Sequence, residues 1–157
     1  MTTLHIAFSR SRGWRSLGSA AIRAMPPWGS WSHCAVLRAD GASVVEALAG
    51  PGVVVTPLPE FVARAAKWGV MEVPAPDFVG GLLRAESRVG RPYDWRRIAG
   101  FPLRQRSMQD AARDSCEELA IGALHAAGLR LVEDDAGLVT PTMLAMLCFA
   151  AGGTWRN

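Results

Sequence analysis

The sequence predicts an α+β fold in which a central antiparallel sheet packs against helices. Three observations support this prediction. Strand-like runs concentrate in the first half of the chain, a hairpin signal joins two of them, and the clearest helical patterns lie in the second half. The predicted order is one helix, then a β-rich middle, then more helices. This order differs from the alternating strands and helices of a parallel α/β fold.

Five runs combine apolar alternation with β-branched residues, as strands do: residues 3–8, 31–38, 43–49, 53–58 and 68–75. Asp40-Gly41 separates the second run from the third, and this dipeptide between alternating apolar residues is a strong hairpin signal. Gly50-Pro51-Gly52 then turns the chain into the fourth run.

Helical spacing or helix-start signals mark six segments: one ending near Met25, then 59–66, 77–90, a short one at 95–99, 114–128, and a last one that Pro141 opens. The segment at 114–128 is the clearest. Its start, Asp114-x-x-Glu117, resembles a capping box, and Gly128 closes it.

Composition narrows the possible functions. The chain has 157 residues, of which 50% are hydrophobic, so we expect one domain over 1–157 and no intrinsic disorder. No apolar run reaches the roughly 18 residues of a membrane span, and the start lacks a secretory cleavage site. We therefore expect a cytoplasmic protein, or one delivered by a phage or a dedicated export system. A net charge of +3 is weak for a nucleic-acid partner.

The chain has three cysteines, Cys34, Cys116 and Cys148. An odd, sparse set without a signal peptide argues against a disulfide framework. No Cys-x-x-Cys or Cys/His spacing suggests zinc, so we expect no metal and no cofactor. Each cysteine is then either a core residue or a nucleophile, and Cys148, in an apolar tail helix, is predicted to be core.

The predicted hairpin brings a histidine and a carboxylate together. A turn centred on Asp40-Gly41 sets Ala35 opposite Glu46, which makes His33 and Glu46 diagonal neighbours on one mostly apolar face. Diagonal pairs lie roughly 7–8 Å apart, within reach of long side chains. Two interpretations follow: a paired His and Glu that serve catalysis, or a core His beside a Glu that points to solvent.

Cys116 falls in the first turn of the clearest helix. With Asp114 as the N-cap it is the second helical residue, where free backbone N–H groups and the helix dipole favour a thiolate. It also belongs to a helical stripe of small and apolar residues, so a small core residue is the alternative.

Five short segments occur in a recognisable order: WSHCAVL at 31–37, VEA at 45–47, RPYD at 91–94, SCEEL at 115–119 and TPTML at 140–144. Together they resemble the permuted NlpC/P60 hydrolases, papain-like enzymes of the YiiX and YaeF type. The resemblance implies a circularly permuted papain-like fold in which the His strand precedes the Cys helix. The matches span nearly the whole chain, although each is short.

The resemblance also implies residue roles. Cys116 would be the nucleophile, His33 the general base and then acid, and Glu46 the group that orients His33. Tyr93 would line the substrate cleft and donate to the substrate or the oxyanion, unless it is a buried phenol with a structural hydrogen bond.

This chain departs from the family pattern at two positions. Glu117 stands where family members often have Ser, and Cys34 follows the His where an apolar residue is usual. We expect Glu117 to turn back towards the helix start as part of the capping box, and Cys34 to pack on the face opposite His33.

The leading functional hypothesis is a thiol hydrolase, a cysteine peptidase or amidase, that cleaves an amide bond in a peptide or small molecule, including peptides derived from the bacterial cell wall. A lipid acyltransferase or thioesterase of the same fold is the first alternative, because Trp14, Trp28 and Trp31 lie near the expected rim of the site. A catalytically inactive binding or phage-associated module is the second.

Overall fold

The structure is a computed structural model, and it describes residues 2–12, 30–94, 114–132 and 139–156. Within these ranges it is a mixed fold of helices around one antiparallel sheet, as the sequence predicts. The predicted helix that ends near Met25 and the short predicted helix at 95–99 lie outside the described residues.

The described strands form a six-stranded sheet in the order β4-β3-β2-β1-β5-β6, with every neighbouring pair antiparallel. Their bounds are β1 Thr3–Ser11, β2 His33–Leu37, β3 Ser43–Leu48, β4 Gly52–Pro57, β5 Ala65–Pro74 and β6 Thr154–Trp155. All five predicted strands are present. The sixth has only two residues, and the sequence does not predict it.

Four helices lie in the described part of the chain: α1 Leu58–Ala63, α2 Phe78–Glu86, α3 Cys116–Ala126 and α4 Pro141–Ala150. The sequence predicts each of them: the predicted ends of α1, α2 and α3 are a few residues too late, and α4 begins at Pro141 as expected. Helix α1 ends earlier than expected because Ala65, which is buried, already belongs to β5 and pairs with Ser11 of β1.

The sheet is covered on both faces. One face carries the larger core, in which Phe8 and Val36 of the sheet and Leu124 of α3 are fully buried between the sheet and α2, α3 and α4. The other face carries a smaller apolar cluster, in which α1 packs Phe61 against Ala35 and Val44. Side chains alternate along each strand, so neighbouring residues of β2 point into different layers. No helix among the described residues has the length and apolar character needed to cross a membrane.

Candidate active site

The hairpin of β2 and β3 has the predicted register. Val36 pairs with Val45 and Leu37 with Val44, which sets His33 and Glu46 on the α1 face as diagonal neighbours. Asp40 stabilises the turn, because its carboxylate accepts hydrogen bonds from the backbone N–H groups of Ala42 and Ser43. His33 Nε2 lies 2.7 Å from Glu46 Oε2, so the two side chains are in hydrogen-bond contact.

Glu46 is fully buried and does not point to solvent. Its second carboxylate oxygen accepts from Arg64, which caps the end of α1, and Thr56 on β4 adds a further hydrogen bond. Burial alone would raise the pKa of this carboxyl, but the hydrogen bonds and the charge of His33 lower it from 4.5 to about 2. Glu46 is therefore an anion that fixes the imidazole ring in place.

Sequence reasoning missed Thr56 and Arg64. Glu46 pairs with Val54, so Thr56 is its diagonal neighbour on the next strand, and the rule that joins His33 to Glu46 could have found it. Arg64 carries no comparable signal, because its reach to Glu46 depends on how α1 folds back over the sheet.

Cys116 is the first residue of α3, and the N-cap is Ser115 rather than the predicted Asp114. The capping box is complete one position later than expected: Ser115 accepts from Glu118 N–H, and Glu118 accepts from Ser115 N–H. The role expected of Glu117 therefore belongs to Glu118. Glu117 is buried beside the site.

Asp114 has a different task. It is buried, accepts from Arg88 and Arg91, and forms a parallel bridge with Tyr93. Ser115 has an extended backbone (φ −90, ψ 170), so the helix begins at Cys116 and Ser115 is the N-cap.

Tyr93 is held beside the start of α3 by backbone contacts on both sides. Asp94 N–H donates to Asp114 O, and Asp114 N–H donates to Pro92 O. Because Tyr93 bridges Asp114, it lies next to the segment that leads directly into Cys116. Its side chain is buried, with 7% exposed.

The segment before Tyr93 is hydrogen-bonded to β4. Arg91 O accepts from Val53 N–H at 2.8 Å. A Cβ at Gly52 would lie 2.1 Å from that same Arg91 oxygen, and Gly52 has φ +83, so only glycine fits there.

Cys116 and His33 interact where the start of α3 meets the start of β2. Burial lowers the pKa of His33, but the charge and hydrogen bond of Cys116, together with Glu46, raise it to about 10. Hydrogen bonding with Cys34 and the charge of His33 lower the pKa of Cys116 well below its ordinary value, although burial opposes the shift. At neutral pH these shifts favour a thiolate–imidazolium pair.

Cys34 lies on the face opposite His33, as predicted, and is fully buried in the larger core. It does more than pack. Its Sγ donates to the backbone carbonyl of Cys116 at 3.3 Å, a contact across the β2–α3 boundary that sequence reasoning missed.

The tryptophans expected at the rim of the site do not form one in the described residues. Trp31 is buried against Phe8 and Trp155, while Trp14 and Trp28 lie outside the described ranges. An apolar groove of about 370 Å³ is present elsewhere on the α1 face, lined by Leu37, Gly41, Leu58, Trp68, Gly69, Val70 and Arg156. No group of three or more His, Cys, Asp or Glu side chains in the described residues is arranged to hold a metal ion.

The fold resembles that of a solved protein. The chain is 25% identical to metalloprotein YiiX of Escherichia coli O157:H7, assigned to DUF1105, with a TM-score of 0.60 over 92% of this chain and 79% of that one. No protein-family model and no curated protein matches the sequence. The architecture that holds Cys116, His33 and Glu46 together is thus a YiiX-like fold.

Proposed function

We propose that the protein is a thiol hydrolase that cleaves an amide bond through an acyl-enzyme on Cys116. The observation that carries this proposal is the 2.7 Å contact from His33 to the buried Glu46, together with the electrostatic interaction between His33 and Cys116. A nucleophile, a base and a group that orients the base are the three parts that covalent acyl transfer needs.

In the first half-reaction the Cys116 thiolate attacks the carbonyl carbon of the substrate. Glu46 occupies His33 Nε2, which leaves Nδ1 as the nitrogen that gives its proton to the leaving amine. The Cys116 backbone N–H stands in the first turn of α3, where N–H groups have no acceptor within the helix. It contributes to binding the oxyanion, and Tyr93 lines the cleft beside it.

In the second half-reaction His33 acts as a base. It takes a proton from a water molecule, the resulting hydroxide attacks the thioester carbonyl, and the thiolate leaves. Glu46 stabilises the imidazolium at both stages because its carboxylate stays ionised down to a pKa of about 2.

The order of the parts agrees with the permuted papain-like arrangement, in which the His strand precedes the Cys helix. The YiiX-like fold supports this assignment. Peptides, including those released from bacterial cell walls, are the substrate class that the resemblance favours.

A second candidate function rests on the apolar groove. Trp68 pairs with Ser9, and Ser9 pairs with His33, so the Trp68 end of the groove lies two strands from His33 in the same row of the sheet. Leu37, Leu58 and Val70 continue the apolar lining away from it. A groove of this kind suits a fatty acyl chain, which would make the enzyme a thioesterase or acyltransferase that uses the same cysteine.

Intact-mass spectrometry during turnover tests both candidates. The protein is mixed with peptide amides and with nitrophenyl esters of short and long acyl chains, and the covalent adduct is mapped by digestion. We expect an acyl group on Cys116 in the native protein, none in Cys116→Ala, and the native pattern in Cys148→Ala, because burial raises the pKa of the Cys148 thiol to about 12.

The substrate series separates the two functions. Adducts from peptide amides support the amidase, whereas reaction only with esters, faster for long chains and reduced by Trp68→Ala, supports the acyl-group enzyme. A protein that forms no adduct with any probe, while Cys116 stays accessible to a small alkylating agent, contradicts both and favours an inactive binding module.

A further inference from the structure

Two cysteines meet where β2 packs against α3. Cys34 is the second residue of β2, and strand alternation sends its side chain towards α3 while His33 points to the other face. Its Sγ lies 3.3 Å from the carbonyl oxygen of Cys116. Acyl transfer needs only one of these two sulfurs, so the mechanism leaves a second thiol in contact with the nucleophilic residue and without a chemical role.

The two thiols differ in charge. Cys116 is paired with His33 and has its pKa lowered, whereas burial and the neighbouring Cys116 charge raise the pKa of Cys34 well above its ordinary value. An oxidant that reacts with thiolates therefore meets Cys116 first. Cys34 remains a protonated thiol beside it.

We infer that Cys116 and Cys34 form a peroxide-sensitive pair, in which Cys116 is the oxidised thiolate and Cys34 resolves it into a disulfide. The inference rests on the thiolate of the proposed function and adds a modification that would switch the same site off. The ligand class is a hydroperoxide, the reagent class that oxidises a thiolate to a sulfenic acid, and hydrogen peroxide is the probe.

The chemistry balances in two steps. The Cys116 thiolate attacks one peroxide oxygen, the O–O bond breaks, and the departing hydroxide takes the His33 proton to leave as water; sulfur is oxidised to a sulfenic acid and the peroxide is reduced. The Cys34 thiol then attacks the sulfenic sulfur, an S–S bond forms, and the hydroxyl leaves with the Cys34 proton as a second water.

Formation of the disulfide would remove the nucleophile from acyl transfer. It would also protect Cys116 from the irreversible sulfinic and sulfonic acids, and a thiol reductant would restore it. Cys148 provides an internal comparison, since it is a third buried free thiol in the same core.

Hydrogen peroxide added to the reduced native protein, followed by acid quench and digestion without reductant, tests the pair. We expect a mass loss of two hydrogens, one linked peptide that contains Cys34 and Cys116, and full recovery of alkylatable Cys116 with dithiothreitol. Cys34→Ser keeps a hydrogen-bond donor beside Cys116 but cannot form the bond. In that variant we expect Cys116 to gain oxygen atoms that dithiothreitol does not remove, while Cys148→Ala behaves like the native protein.

The outcomes separate this inference from the function on which it rests. If native Cys116 is alkylated at acid pH but passes to sulfinic acid as fast as in Cys34→Ser, with no linked peptide, the redox pair is wrong and the hydrolase stands. A linked peptide that contains Cys148 also refutes the pair. If neither peroxide nor an alkylating agent modifies Cys116 at acid pH, the thiolate is absent and both proposals fail.

Discussion

Replacing His33 with alanine is expected to lower kcat by about 10²–10⁴-fold, the range that a positioned general acid and base contributes. The loss has two physical sources. Without the imidazolium, the Cys116 thiol returns towards the free cysteine pKa of about 8.5, so fewer molecules carry a thiolate at neutral pH. The leaving amine also loses its proton donor. We expect KM to change less than kcat, because His33 acts on the reacting atoms.

His5→Ala is the matched control for this substitution. His5 lies on β1, contacts Thr3 and Glu72 and is not part of the proposed site. Steady-state kinetics of the two variants on the best substrate should therefore differ sharply. Turnover in His33→Ala within a few fold of the native rate, or an equal loss in His5→Ala, would show that the imidazole of His33 has no part in the chemistry.

Glu46→Gln is expected to lower the free energy of unfolding by about 1.5–3 kcal/mol near neutral pH, the contribution of a hydrogen bond to a charged group. The change keeps the size of the side chain but removes the anion between His33 and Arg64. It should also lower the pKa of His33, because Glu46 is one of the groups that raise it. Urea unfolding and the alkylation rate of Cys116 measure the two effects.

The pH dependence of the stability difference between the native protein and Glu46→Gln follows from the pKa of the Glu46 carboxyl. Its pKa is lowered from 4.5 to about 2 on folding, so Glu46 stabilises the native state above pH 4.5 and loses that effect as the pH falls towards 2. The gap in stability between the native protein and Glu46→Gln should accordingly narrow in acid. Glu72→Gln, at a partly exposed position on β5, should change stability by no more than about 0.5 kcal/mol at any pH. A gap that stays constant into strong acid would mean that Glu46 is not the ionised partner of His33.

The hairpin shows what the sequence can predict about the site. A turn at Asp40-Gly41 fixes the register, and the register fixes which side chains are diagonal neighbours, so the residue pattern alone pairs His33 with Glu46. Local information suffices because both residues lie within one hairpin.

The helix cap shows where local information ends. Asp114-x-x-Glu117 and Ser115-x-x-Glu118 both fit the capping pattern, and nothing in the sequence chooses between them. In the structure Ser115 is extended and caps the helix, while Asp114 bridges Tyr93 and pairs with Arg88 and Arg91, which are contacts between distant parts of the chain.

The contacts of Arg64 and Cys34 also could not be predicted from local sequence. Each depends on how a helix is placed against the sheet, α1 for Arg64 and α3 for Cys34. The two-residue strand β6 likewise exists only because β5 offers an edge for it to pair with.

The central claim is that Cys116 carries a thiolate held by His33. Site-resolved alkylation of the native protein, read by mass spectrometry between about pH 4 and about pH 9, tests it most directly. We predict that Cys116 reacts at a nearly constant rate from the acid end of this range, while Cys34 and Cys148 stay slow throughout. A Cys116 rate that is negligible in acid and rises only near the pKa of a free thiol would contradict the claim and remove the mechanism proposed for this site.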